Sequence, residues 1–368
     1  MTKPRSLSFI LAALMTGGII TAACCAEALV PAMASPPPLG ITAGPIGATA
    51  RPIDVLEHAG PWLAEVPGGV QALRGKVVVV NFWTYSCINS LRALPYLKAW
   101  NARYKDKGLV VVGVHAPEFQ FEHDAAKARL AARQLGVTWP NLQDNGFSTW
   151  QQFANEGWPS IYVIDAKGHM QGYRIGEGGY EQSEGLIRKL LTQAGHDVSG
   201  VPTTPISGSG IEAGADWAQL GSPEAYLGYD KAEGFRSPGG PARNRAKPYQ
   251  AAADLARGSW DLTGTWTIGP EFITPSGADA VLRYRFHARD AHLVLGGPAD
   301  GRPVRFRVTI DGKAPGPNHG CDIDADGWGE LREDRLYQLV RQRGAIADRT
   351  ISIRFERPGI RAYVFTFG

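Results

Sequence analysis

The sequence predicts two folded domains of different class, an α/β domain with a mixed sheet and then an all-β sandwich of jelly-roll type. Three observations carry this. In the first half, short continuous β-branched runs alternate with segments of helical period. In the second half, the hydrophobic period changes to two, with Gly, Pro and Asp turns between runs. Between them, residues 195–215 are rich in Gly, Ser, Thr and Pro and poor in large apolar side chains, the composition of a linker. A chain of 368 residues accommodates two such domains.

The elements follow in order. Residues 1–34 read as an export signal. Lys3 and Arg5 supply the positive start, Leu7 to Ala23 an uncharged apolar stretch, and Ala32-Met33-Ala34 a small-residue cleavage site. A cut after Ala26, a lipidated Cys24 or Cys25, and an uncleaved membrane anchor are the alternatives; Thr21 is a poor residue three before a lipidated Cys24. Residues 35–59 read as a flexible lead-in, Pro-, Gly- and Ala-rich for most of their length.

Residues 60–194 hold the α/β domain. Val77-Val78-Val79-Val80-Asn81-Phe82-Trp83 is a strand buried on both faces. From Cys87 to Tyr104 the spacing of Leu91, Leu94, Leu97 and Trp100 is helical. A second buried strand runs from Leu109 to His115, a helix from Glu122 to Leu135, and a strand pair over 160–165 and 169–175 turns at Ala166-Lys167-Gly168. A helix from Tyr180 to Gln193 closes the domain. Strands joined through a helix are parallel, and the pair joined by a tight turn is antiparallel. Residues 216–368 form the β domain. Trp260, Leu262, Trp266 and Ile268 alternate with polar residues, as do Val304, Phe306, Val308 and Ile310, and Tyr363, Phe365 and Phe367.

A signal cleaved by residue 34 leaves two of the four cysteines, Cys87 and Cys321, too few for a disulfide framework in a disulfide-permissive compartment. Cys87 follows a buried strand by a short loop and opens a helix. Free N–H groups and the helix dipole favour an anion there, so the thiol is expected to fall below its ordinary pKa of about 8.5. The thiolate is the attacking species in disulfide exchange.

The stretch from Gly75 through Asn89, then Leu91-Arg92, Leu94-Pro95-Tyr96, Gly113 through Phe119, Trp158-Pro159 and Ile164-Asp165 resembles the thioredoxin-like domains of the DipZ/TlpA family of exported thiol–disulfide proteins. Pro223 through Tyr229, Phe286 through Asp290 and the ending Tyr363 to Gly368 resemble the β-rich, carbohydrate-binding-module-like domain appended to some DipZ-type proteins. The resemblance implies a thioredoxin-like fold and a C-x-x-C site, but this chain has Cys87-Ile88-Asn89-Ser90. Ser90 replaces the resolving thiol with a hydroxyl. Attack by Cys87 survives the replacement, internal resolution does not, and a Ser90 hydrogen bond can still reach the sulfur. The resemblance further implies that Asn81 stands where thioredoxins often carry a buried Asp, that Glu118 moves protons, and that Pro159 is the cis-proline beside the sulfur. Trp83, Tyr85 and Trp158 are placed as substrate-binding residues around the site.

The resulting expectation is single-cysteine thiol–disulfide exchange at an extracytoplasmic location, with protein or small-molecule disulfides as partners. One alternative is a non-catalytic protein whose β domain binds a glycan or an envelope partner. Another is a one-cysteine peroxidase, since Thr84-x-x-Cys87 matches part of the peroxiredoxin pattern, although Val80 stands where that pattern has proline. Trp260 and Trp266 share a face with Leu262 and Ile268 and are expected in the core, leaving Trp328 as the candidate exposed aromatic. Asp322, Asp324 and Asp326 with Glu333 fit calcium-loop spacing, against the alternative of an Asp/Gly-rich turn. Cys321 either resolves Cys87 across the domain boundary or is an isolated thiol. The histidines show no metal-ligand spacing, and no phosphate-loop, dinucleotide or haem motif is present, so no cofactor is expected. A net charge of +3, spread along the chain, excludes a nucleic-acid stripe, and the only membrane link expected is the N-terminal signal or a lipid anchor.

Overall fold

The computed structural model describes residues 51–203 and 205–368; the export signal expected over 1–34 and the lead-in as far as residue 50 lie outside them. The helices of the first half are α1 (Pro52–Glu57), α2 (Ile88–Tyr104), α3 (Ala125–Gln134), α4 (Ser148–Gln152) and α5 (Tyr180–Gln193). Its strands are β1 (Trp62–Ala64), β2 (Val77–Trp83), β3 (Leu109–His115), β4 (Asn141–Gln143), β5 (Ser160–Ile164) and β6 (Met170–Ile175). They form one sheet in the order β1-β4-β3-β2-β5-β6, with β2, β3 and β4 parallel and β5 and β6 antiparallel to their neighbours. This is a thioredoxin-like arrangement.

Strand β2 is central because both its faces are apolar. Val77, Val79 and Trp83 face the layer containing α2 and α5, while Val78, Val80 and Phe82 face a second cluster with Leu142, Phe153 and Tyr162. Residues 52–57 were expected at the end of a flexible lead-in. They form α1 instead, because Ile53, Val55 and Leu56 are buried in that second cluster.

The β domain contains β7 (Ala225–Tyr226), β8 (Ala246–Tyr249), β9 (Trp260–Ile268), β10 (Ile273–Pro275), β11 (Val281–Phe286), β12 (Asp290–Gly296), β13 (Val304–Ile310), β14 (Trp328–Leu331), β15 (Arg335–Arg341), β16 (Arg349–Phe355) and β17 (Arg361–Phe367). Every named strand pair in it is antiparallel. The main path runs β14-β13-β16-β11-β9-β10-β17-β12-β15, with β7 on β17 and β8 on β9. It is a single curled sheet whose limbs share one apolar filling: Leu262, Phe286 and Phe306 meet Leu293, Phe365 and Phe367 in one cluster. Trp260 and Trp266 lie in this core.

The boundary between the halves is apolar. Tyr85, Ile88, Leu91, Phe119 and Phe121 share a buried cluster with Val294, Leu336, Tyr363 and Val364 of the β domain. Tyr363 is its hub, with ring centroids 5.0 Å from Phe119, 5.1 Å from Phe121 and 5.3 Å from Phe272. The segment expected as a linker also packs: Val198 is buried, and Glu212 pairs with Lys98 of α2 at 2.6 Å.

Candidate active site at Cys87

The site is built at one end of β2. The chain leaves that strand at Trp83, passes Thr84, Tyr85 and Ser86, and enters α2 with Cys87 at the N-cap. The loop is held by a carboxylate the sequence reading did not single out. Glu122 accepts from the Thr84 hydroxyl, from the Ser86 hydroxyl at 2.7 Å and amide at 3.3 Å, and from the amides of Glu118 at 2.6 Å and Phe119 at 3.0 Å. One buried side chain thus ties the loop before Cys87 to the loop after β3. Burial holds Glu122 above its ordinary pKa even with these donors. Its one legible signal was a Glu three residues after the start of a helical turn, half of a capping box.

Cys87 is 8% exposed. Its thiol stands well above its ordinary pKa, first because of burial and then because Glu118 and Glu224 lie near it; the amide and hydroxyl of Ser90 pull the other way. This reverses the expectation of a lowered value. The helix N-terminus is present, but loss of water outweighs it. Ser90 is buried, and its Oγ also accepts the Thr84 amide at 3.4 Å.

Glu118 lies in the loop after β3 and is pushed up to about 8, chiefly by burial. The hydroxyl of Tyr226, from β7 of the β domain, donates to it. Asn89 donates to Glu224 at 3.5 Å. The β domain therefore places a phenol and a carboxyl over the cysteine, which no local pattern in the first half could reveal. Pro223 through Tyr229 did stand out as a stretch resembling the β-rich domain of DipZ-type proteins.

Ser160 pairs with Phe82, so Pro159 lies at the same sheet end as Cys87, and the Trp158–Pro159 peptide bond is cis. Trp158 is half-buried, its indole donating to Ala116 O at 3.0 Å. Trp83 and Tyr85 are in the interior: Trp83 donates to Asn141 Oδ1 at 3.2 Å, and Tyr85 stacks on His115 at 5.5 Å. Asn81 is buried, and its amide finds no hydrogen-bond partner among the described residues. A cavity of about 830 Å³ opens beside the site, walled by Tyr85, Leu91, Leu130, Leu135, Pro298 and Leu336; Cys87 itself does not line it.

The remaining candidates separate from this centre. Cys321 is an exposed free thiol pushed up to about 11 by partial burial and by Asp322, and it is not paired with Cys87. The calcium-loop carboxylates have other partners. Asp322 binds Arg335 and the Gln338 amide, each at 2.7 Å, Asp324 takes the Trp328 amide at 2.8 Å, and Glu333 takes Gln134 at 3.2 Å. Among the described residues no group of three or more His, Cys, Asp or Glu side chains is placed to hold a metal ion. The segment is an Asp/Gly-rich turn. Trp328 is half-buried, with Arg305 and Arg307 over its ring at 4.3 and 5.5 Å.

Fold and site together define a thioredoxin-like domain whose cysteine is covered by a β domain. Residues 69–172 match the AhpC/TSA family, and residues 222–368 match the family described as thioredoxin like C-terminal domain. The chain is homologous to DipZ and to ResA-type oxidoreductases. It is 33% identical over 308 residues to Protein DipZ of Mycobacterium tuberculosis, an alignment covering 82% of this chain and 40% of the relative. It thus spans less than half the length of that relative. Thiol-disulfide oxidoreductase YkuV of Bacillus subtilis is 27% identical over 143 residues, 39% of this chain and 96% of its own. A solution structure of a thioredoxin-like protein in the oxidized form aligns at 28% identity over 37% of this chain and 93% of its own, with a TM-score of 0.34.

Proposed function

We propose that this chain is an extracytoplasmic thiol–disulfide exchange protein working through a single cysteine, Cys87. The observation that carries the reading is the grouping around that thiol of a helix N-terminus, the Ser90 hydroxyl and the Glu118 carboxyl. The extracytoplasmic location is supported by Lys3, Arg5 and the apolar stretch after them.

In the exchange step Cys87 Sγ attacks one sulfur of a disulfide R–S–S–R′. Its proton passes to Glu118, the Cys87–S–S–R bond forms, the R–R′ disulfide breaks, and R′S⁻ leaves and takes the proton from Glu118. Electrons balance within the exchange. Ser90 cannot attack the mixed disulfide, so release needs a second thiol, on R or on another molecule. Burial of Cys87 keeps the thiol protonated between encounters, and a bulky disulfide reaches it only when the β domain cover moves. The peroxidase alternative draws no support from Thr84, whose hydroxyl is engaged with Glu122.

The test uses the mature chain carrying Cys321→Ala. Oxidised glutathione is expected to give one mixed-disulfide adduct per chain, on Cys87, that persists until a second thiol is added. Iodoacetamide alkylation of Cys87 is expected to show an inflection near pH 8, where Glu118 ionises. Absence of the adduct, with alkylation rising only above pH 9, would overturn the exchange reading and leave the first domain as a scaffold.

A further inference from the structure

We infer that the β domain completes the catalytic unit, Tyr226 acting as the positioning residue that holds Glu118 as the base for Cys87. This deepens the exchange reading and rests on it.

The placement of Tyr226 is not incidental. Strand β7 is two residues long and is fixed by pairing with β17, Tyr226 opposite Val364 and Ala225 opposite Phe365. The ring packs near Phe119 at 6.5 Å, one residue after Glu118, and Lys231 Nζ lies 4.6 Å from its centroid. From there the hydroxyl donates to Glu118 Oε1. The backbone of Glu118 is fixed separately by Glu122, so main chain and side chain are both held.

The charges facing Glu118 define what this bond does. Glu122 and Glu224 disfavour its ionisation; Lys231 favours it, and so does the Tyr226 hydrogen bond. In a buried setting between two other carboxyls, a donor aimed at the ionised form is what makes a base accessible near neutral pH. Oε1 is held by Tyr226, and Oε2 is left to take the Cys87 proton and return it to the leaving thiolate. Tyr226 touches neither sulfur; it acts through Glu118.

The experiment is the pH profile of Cys87 alkylation by iodoacetamide in the mature chain carrying Cys321→Ala, alone and with Tyr226→Phe, Glu118→Gln, or both. Phenylalanine keeps the ring against Phe119 and Lys231, and an unchanged melting midpoint checks that the fold is kept. Tyr226→Phe is expected to move the lower inflection to higher pH and to slow alkylation at pH 7 about tenfold, the loss of one hydrogen bond to a charged group. The alkaline plateau is expected to stay. In the Glu118→Gln background Tyr226→Phe is expected to do nothing further. A parent profile with its inflection near pH 8 that Tyr226→Phe leaves unmoved would overturn this inference alone. Faster alkylation at every pH would do so too, since Tyr226 would then be only a cover. A parent thiol inert below pH 9 would instead overturn the exchange reading, and this inference with it.

Discussion

Arg92 and Glu177 form an ion pair at 3.3 Å inside the molecule, with side chains 2% and 7% exposed. The same guanidinium donates to the Phe367 carbonyl at 3.3 Å, so α2 is bonded through one buried cation to β17 of the β domain. Removing Arg92 takes away the partner that favours the ionised Glu177 carboxyl and leaves the buried Phe367 carbonyl without this donor. Arg92→Ala is expected to destabilise the chain by about 3–5 kcal/mol, read from urea unfolding. Adding Glu177→Gln to that variant is expected to recover part of the loss.

Glu122 predicts a different loss. Five donors end on one carboxylate, so Glu122→Ala strands several buried N–H and O–H groups at once. A cost of about 3 kcal/mol or more is expected in chemical denaturation, with Glu122→Gln milder because one acceptor oxygen remains. Faster hydrogen exchange at the Ser86 and Phe119 amides would locate the effect.

Stability should depend on pH in a defined sense. Burial raises Glu118 to about 8 and Glu177 to about 7, from 4.5. Between those values the folded chain holds protons the unfolded chain has released, so stability falls as pH rises through that window. Burial lowers His115 and His292 to about 3, from 6.5. There the unfolded chain holds the extra proton, and stability falls as pH drops below 6.5. The melting midpoint is therefore expected to decline from pH 6.5 to 8, with a shallower decline in Glu118→Gln. A midpoint that rises over this range would contradict the assignment.

Tyr363 tests the boundary between the halves. It is buried among Phe119, Phe121 and Phe272, and truncation to alanine is expected to cost about 3–5 kcal/mol. Because Phe119 adjoins Glu118, Tyr363→Ala is also expected to speed alkylation of Cys87 at fixed pH. Equal rates in parent and variant would mean that access to the thiol does not run through this cluster.

What was legible in the sequence followed from local physics. The Val77–Val80 run announced a strand buried on both faces, and Leu91, Leu94, Leu97 and Trp100 announced the buried face of α2. Strands β1 and β4 escaped because three residues carry no period, and α1 because its six residues follow a Pro-rich stretch. At the site, the position of Cys87 was readable and the state of its thiol was not. A helix N-terminus is a local feature; burial beneath Glu224 and Tyr226 depends on residues far along the chain. Alternation marks Tyr363 and Val364 as strand residues without saying what they cover. Trp83 and Tyr85 lie near the cysteine in sequence and read as access residues; in three dimensions Trp83 bonds Asn141, and Tyr85 stacks on His115 while also walling the cavity beside the site.

The pairing of Tyr226 with Val364 has a kinetic consequence. The first sheet pairs only its own strands, whereas the strand that shields Cys87 has its partner at the far end of the β domain. Pairings so distant in sequence are formed late. The cover over Cys87 is therefore complete only once β17 is in place.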